Sequence, residues 1–213
     1  MMKLFYLPVR ARGEPIRMLL AYGKIQYEDV VIGWEQWPEQ KTDAYLFPFG
    51  QTPSMEIAPN TVVAQSGAII RYAAKLANAC PSDPALAAKN DMVMEMAMEM
   101  MPINPLLNVF QADSENYAAK HAEYFAALPG RLAIAQKALG DAKFFGGATP
   151  SYADFTLFHI LDCTVTITAN ALEATPSVAA FMESMKAIPE VAQYLQSRPQ
   201  PPLVGIKGSV LSP

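Results

Sequence analysis

Three groups of residues carry chemistry at a telling spacing. Gln65-Ser66 ends a strand-like run and opens a helical one, so a hydroxyl and the free N–H groups of a first helical turn make a ready site for a carboxylate, or an ordinary cap. Asp91, Glu95 and Glu99 recur every four residues, which puts three acids on one helix face with no lysine between them. Such a stripe repels itself, and its plainest reading is a solvated face. Ser151-x-x-Asp154 has the spacing of a helix capping box, with aspartate where glutamate or glutamine is usual. His121 and His159 have no ligand or triad companions at a telling spacing, and Cys80 and Cys163 form no Cys-x-x-Cys pair. Neither a zinc framework nor a disulfide framework is expected, which suits a reducing compartment.

The elements that must position these residues read in two blocks. Lys3 to Leu7 is a strand, Gly13-Glu14-Pro15 opens a helix over Ile16 to Tyr22, and Tyr27 to Ile32 is a second strand, expected to pair in parallel with the first. A long irregular stretch then runs through Trp34, Trp37 and Pro48 to Phe49-Gly50-Gln51-Thr52-Pro53, and loops of that length are usually functional. Ser54 to Ile57 and Thr61 to Ala64 read as two short strands around Pro59-Asn60, after which Ser66 can cap a helix over Gly67 to Ala77. Residues 78–84, with two prolines, a serine and an aspartate, form the expected linker between a domain at 1–77 and one at 85–213. The second is expected to be all helical, with runs at 85–110, 115–139, 152–170 and 176–196, the first bent or broken by Pro102 and Pro105, and an extended tail from Pro199 to Pro213.

Composition excludes several function classes. The chain has 213 residues, 52% hydrophobic and 17% charged, with a net charge of −4 and no basic block. It is long enough for a substantial core and offers no surface for nucleic acid or an anionic membrane. The start, Met1 to Arg10, lacks the apolar run and small-residue cleavage site of a secretory signal, and no apolar stretch nears the ~20 residues needed to span a bilayer. A cytoplasmic location is the expectation.

Read together, Tyr6, Arg12-Gly13-Glu14-Pro15-Ile16-Arg17, Ile25-Gln26-Tyr27-Glu28-Asp29, Trp37-Pro38-Glu39 with Lys41, Phe49-Gly50-Gln51-Thr52-Pro53, Gln65-Ser66 and Ser151-Tyr152-Ala153-Asp154 resemble the cytosolic glutathione transferases in order and spacing. Within that family the likeness is to the sigma class, which includes the glutathione-dependent prostaglandin D isomerases. The resemblance covers most of the chain. It implies a thioredoxin-like α/β domain followed by an all-α domain, a homodimer, and glutathione as co-substrate.

It also implies roles residue by residue. Glutathione's thiol, at a cysteine-like pKa of ~8.5, is mostly protonated at neutral pH, so the site must favour the anion. Tyr6 matches the family's tyrosine that donates a hydrogen bond to the sulfur, and Arg12 its neighbouring arginine. Trp37 and Lys41 match the pair that holds the glycine end, an indole N–H and an ammonium meeting a carboxylate. Thr52-Pro53 matches the residue and cis-proline whose backbone pairs with the cysteinyl unit, with the Gln51 amide beside it. Gln65-Ser66 matches the γ-glutamyl site, and Glu99 matches an acid that reaches the ammonium of glutathione bound by the neighbouring subunit. Arg10, Met98, Met101 and Phe110 are the candidates for the electrophile's pocket, among helix methionines that otherwise read as core. Some prostaglandin D isomerases bind a metal through three acids that correspond here to Glu95, Met98 and Glu99, so with one ligand missing no metal is expected.

The expectation is conjugation of the glutathione thiolate to small hydrophobic electrophiles. The alternatives are prostaglandin-type isomerisation, against which Leu106 replaces a pocket tryptophan of the vertebrate isomerase, or a non-catalytic crystallin-like or ligand-carrier relative.

Overall fold

The computed structural model describes residues 1–104 and 114–198, in two compact units, Met1–Asn78 and Ala79–Pro213. The expectations for Pro105, Leu106, Phe110 and the tail from Pro199 lie outside the described residues.

The first unit is built as β1 (Met2–Tyr6), a 3-10 turn (Ala11–Gly13), α1 (Glu14–Tyr22), β2 (Tyr27–Val31), α2 (Trp37–Gln40), β3 (Ser54–Ala58), β4 (Thr61–Ala64) and α3 (Ser66–Leu76). Pro15 sits in the first turn of α1, where its missing N–H costs nothing, and Glu14 faces the positive end of the helix dipole. The four strands lie in the order β2-β1-β3-β4. β1 and β2 are parallel, with Tyr6 opposite Val31, while β1–β3 and β3–β4 are antiparallel. Leu4, Ile16, Leu19, Leu20, Met55, Ile69 and Ile70 are fully buried between sheet and helices. A second apolar cluster of Phe5, Leu7, Ile32 and Phe47 anchors Trp37, whose ring meets that of Phe47 edge-on at 5.1 Å.

Two local expectations are corrected here. The irregular stretch contains α2, too short at four residues to show a helical period. Ser66 is the first residue of α3, not its cap: Gln65 holds the cap position at φ 72°, and no side chain caps the helix. A helix therefore starts directly from a residue in left-handed backbone, which relies on its surroundings to hold it there.

The second unit has α4 (Pro84–Met100), α5 (Ser114–Leu139), α6 (Tyr152–Ile167), α7 (Pro176–Lys186) and α8 (Pro189–Ser197). α4 ends at Met100, and the interruption expected at Pro102 follows as a turn, where a helix would need the donor that proline lacks; residues 105–110 of that expected run lie outside the described residues. The run expected over 176–196 is two helices, divided where Pro189 restarts the chain. α6 is central, with Phe155, Thr156, Phe158, His159, Ile160 and Leu161 all buried, and it packs chiefly on α4.

The start of α6 is a capping box: Asp154 accepts from the Ser151 N–H at 2.7 Å and the Ser151 hydroxyl at 2.9 Å. The same carboxylate accepts from Phe145 N–H at 2.7 Å and Gly146 N–H at 3.1 Å, which pins the preceding loop. Asn90 of α4 donates to the Phe145 carbonyl and accepts from the Ser151 hydroxyl, so the box ties α4, the loop and α6 together. Among the described residues no helix is long and apolar enough to cross a membrane.

Candidate functional site

The strand register decides which candidate residues meet. Phe5, Ser54 and Ala64 are lateral neighbours across β1, β3 and β4. Tyr6 follows Phe5, Pro53 precedes Ser54, and Gln65 follows Ala64, so all three stand at the same end of the sheet. With ~4.8 Å between strands, that row spans about 10 Å, the reach of an extended tripeptide. Trp37 comes to the same end through its packing on the cluster that holds Phe5, Leu7, Ile32 and Phe47, and the Ile32 N–H donates to the Tyr6 carbonyl at 2.8 Å. Lys41 closes α2 one turn beyond Trp37, exposed to solvent.

Tyr6 is 4% exposed, and its hydroxyl oxygen accepts a hydrogen bond from the Arg12 N–H at 3.0 Å. That acceptance leaves the phenolic proton to be donated elsewhere. Burial pushes the Tyr6 hydroxyl up to about 12, against the lowering effects of the Arg12 N–H, the Arg12 and Arg17 charges and the Gly13 N–H. It therefore stays protonated at neutral pH, the state a hydrogen-bond donor needs. Arg12 acts on Tyr6 through its main chain as well as its charge, a role that the residue's identity did not reveal.

Two close contacts hold the ring. The Arg17 guanidinium lies 5.7 Å from the ring centroid. A Cβ at Gly13 would come within 2.5 Å of Tyr6 Cδ1 and 3.1 Å of Arg17 Nη1, so only glycine lets the turn approach so near. Gly13→Ala is expected to destabilise the protein by about 1–3 kcal/mol through overpacking and to slow turnover by displacing the tyrosine. Thermal melts alongside rate measurements check this, and a fully active, equally stable Ala variant refutes it.

The Thr52-Pro53 peptide is cis, Pro53 is buried, and Gln51 is exposed at the sheet's end. Ser66 is 6% exposed at the start of α3, and the Gln65 carbonyl accepts from Ala68 and Ile69, which leaves the Ser66 and Gly67 N–H groups ahead of the helical ladder. Arg10 is half-buried in the loop before the 3-10 turn, and its carbonyl accepts from Gly13 and Glu14.

In the second unit, Met98 is half-buried and Met101 is buried at the end of α4. Glu99 forms an ion pair with Arg131 of α5 at 3.0 Å, and Asp91 accepts from the Tyr152 hydroxyl at 3.0 Å. The reading of an unpaired acidic stripe is thereby corrected: partners come from α5 and α6, which the spacing along α4 does not show. Among the described residues no group of three or more His, Cys, Asp or Glu side chains stands close enough to hold a metal ion.

The sequence reading passed over Gly13 as a contact residue and the pair Arg17–Asp29. Opposite charges on adjacent members of a β-α-β unit were the available signal.

Models of the glutathione S-transferase N-terminal domain and C-terminal domain match residues 1–75 and 103–198 respectively. The chain is 32% identical over 211 residues to glutathione S-transferase P of Caenorhabditis elegans, covering 96% of this chain and 97% of that protein. It is 28% identical over 202 residues to the hematopoietic prostaglandin D synthase of Gallus gallus, covering 93% and 96%. The solved structure of NaGST-2 superposes with a TM-score of 0.83 at 26% identity, covering 93% of this chain and 97% of that one. A thioredoxin-like unit followed by a helical one is the architecture of these relatives, and this chain belongs to the glutathione S-transferase family, as a transferase with glutathione as its co-substrate.

Proposed function

We propose that this transferase adds the glutathione thiolate to small hydrophobic electrophiles, with Tyr6 as the donor that stabilises the thiolate. The observation that carries the reading is the Tyr6 hydroxyl: buried, protonated, and accepting from the Arg12 N–H so that its own proton is free to meet sulfur. Glutathione lies along the sheet's end in the domain proposed over residues 1–77. Its glycine carboxylate meets Trp37 and Lys41, its cysteinyl backbone pairs with Thr52 before Pro53 and beside Gln51, and its γ-glutamyl carboxylate meets Gln65, Ser66 and the start of α3. The positive φ of Gln65 supports that last contact, since strained backbone of this kind concentrates at ligand sites. The residues proposed for the electrophile from the resemblance are Arg10, Met98, Met101 and Phe110, the last outside the described residues. Retention on immobilised glutathione and turnover of a chromogenic haloarene test the assignment. A chain that binds glutathione without turning over any electrophile fits the ligand-carrier reading instead.

A sigma-class assignment and isomerisation of a prostaglandin-type endoperoxide form the second reading, favoured by the 28% identity to a prostaglandin D synthase over nearly the whole chain. Product analysis after incubation with a prostaglandin endoperoxide and glutathione separates it from conjugation.

The functional state is proposed to be a homodimer in which Glu99 meets the ammonium of glutathione bound by the other subunit. The Glu99 side chain is 64% exposed and its pair with Arg131 is a surface one, so Glu99→Gln is expected to leave the melting temperature nearly unchanged. Glutathione affinity should fall several-fold, the value of about 1 kcal/mol for a charge-assisted contact. Calorimetric titration decides it, and unchanged affinity removes Glu99 from the site.

A further inference from the structure

We propose that Arg17 and Asp29 are positioning residues for the Tyr6 hydroxyl: Asp29 fixes the Arg17 guanidinium, and the guanidinium fixes the 9–13 loop so that the Arg12 N–H stays aimed at the phenolic oxygen. The inference rests on Tyr6 being the donor to the thiolate and extends it to residues that touch neither glutathione nor sulfur.

The contacts form one continuous path. From β2, the Asp29 carboxylate accepts from Arg17 Nε at 2.8 Å through Oδ2 and from Nη2 at 3.2 Å through Oδ1, the two-pronged pairing that suits a planar guanidinium. Arg17 Nη1 then donates to the Val9 carbonyl at 3.1 Å, on the near side of the turn, and lies 3.1 Å from the space a Cβ at Gly13 would fill, on its far side. Between those two points stands Arg12, whose N–H meets Tyr6. The guanidinium carbon also lies 5.7 Å from the centre of the Tyr6 ring, so one group touches both the turn and the side chain it serves.

Two further features separate this from an ordinary surface pair. Arg17 is 8% exposed and Glu14, 3.8 Å from its Nη1, is 2% exposed, so the cation is sunk between two carboxylates. Truncating a buried charge of this kind leaves its partners uncompensated. The turn it restrains is also a strained one: the Arg10 carbonyl accepts from the Gly13 and Glu14 N–H groups across it, yet Ala11 has φ 27°, outside the comfortable range of a residue with a Cβ. A clamp at both ends is what keeps such a turn in a single conformation. Tyr27, the other titratable group of β2 on this network, feels Asp29, Arg17 and Glu14 as well, and burial pushes its hydroxyl up to about 12, so it carries no charge at neutral pH.

The test is a double-mutant cycle on the full chain, using glutathione and a haloarene. Asp29→Asn keeps the side chain's shape and loses its charge. It is expected to lower kcat about 3- to 10-fold, on the scale of a misaligned charge-assisted contact, with the glutathione KM altered less than twofold. The pKa of the bound thiol, followed by thiolate absorbance, should rise. In the Tyr6→Phe background the same substitution should have a much smaller effect on kcat and thiol pKa, limited to what the Arg17 charge alone exerts, because the hydroxyl it positions is gone. Arg17→Lys keeps a charge beneath the ring without the fork and should match Asp29→Asn; where Asp29→Asn does not fold, it carries the comparison alone. Parent-like kcat in Arg17→Lys and Asp29→Asn, or losses that simply add to that of Tyr6→Phe, overturn the proposal while leaving Tyr6 as the donor. A Tyr6→Phe enzyme whose bound thiol titrates like the parent's removes the donor assignment itself.

Discussion

Tyr6→Phe is expected to keep the fold and most of the glutathione affinity while raising the pKa of the bound thiol and slowing conjugation roughly 10- to 100-fold, the scale of one to two pKa units of lost thiolate stabilisation. The ring stays, so its packing against Gly13 and Arg17 stays with it. What disappears is the single proton that can point at sulfur, and the Arg12 N–H loses its acceptor at the same time. The loss is bounded because the Arg12 and Arg17 charges, which already act on this position, continue to favour an anion there. Titrating thiolate absorbance in parent and variant, with haloarene rates on the same samples, measures both effects. Identical titration and rate would move the donor's role to another group.

Asp154→Ala is expected to lower unfolding free energy by about 3 kcal/mol or more and to leave the chemistry of the first unit untouched. The carboxylate is fully buried and serves three N–H groups and one hydroxyl, so its removal strands donors that water cannot reach and releases the loop at Phe145 and Gly146. Denaturant titration of the two proteins measures the difference. A pH series adds a sign to the prediction. Burial pushes the Asp154 carboxyl from 3.8 up to about 6, against the hydrogen bonds it accepts, so between those pH values the folded protein holds a proton that the unfolded chain has given up. Its contribution to stability is then full below the lower value and is lost as pH rises through the upper one, at a slope of about 1.4 kcal/mol per unit. Asp154→Asn cannot titrate, so the stability of the parent relative to that variant should decline from pH 4 to pH 6 and be flat above. A difference that instead grows over that range would show that the hydrogen-bond donors outweigh burial at this carboxyl.

Much of the first unit was legible because its punctuation is local. Gly13-Glu14-Pro15, Gly23 and Pro59-Asn60 mark ends of strands and helices by their own backbone preferences, and the parallel first pair was expected, whereas the order β2-β1-β3-β4 has no local signal. α2 was hidden because four residues hold barely one turn. The two long-range features of the site were hidden for a different reason. The Arg12 contact is made by a main-chain N–H, which every residue but proline possesses, so only the 3-10 turn singles it out. Arg17 and Asp29 stand twelve positions apart and meet only because the β1-α1-β2 crossover returns β2 to the side of β1. On α4 the spacing of Asp91, Glu95 and Glu99 was read as a stripe, yet Tyr152 and Arg131, distant in sequence, supply a hydrogen-bond partner for Asp91 and a charge partner for Glu99. Same-helix arithmetic is blind to such partners.

The direction of the Tyr6 hydrogen bond bears on which ligands the site can discriminate. A phenol ordinarily both gives and receives, and would bind a neutral thiol or alcohol by accepting from it as readily as an anion by donating to it. Here the receiving side is engaged by the main-chain N–H groups of both Arg12 and Gly13. On the proposed assignment the hydroxyl is therefore a one-way filter. A ligand atom that can only accept, as a thiolate does, finds its match, whereas the protonated thiol, or an analogue of glutathione with a serine hydroxyl in place of its sulfur, brings a hydrogen that has nowhere to go.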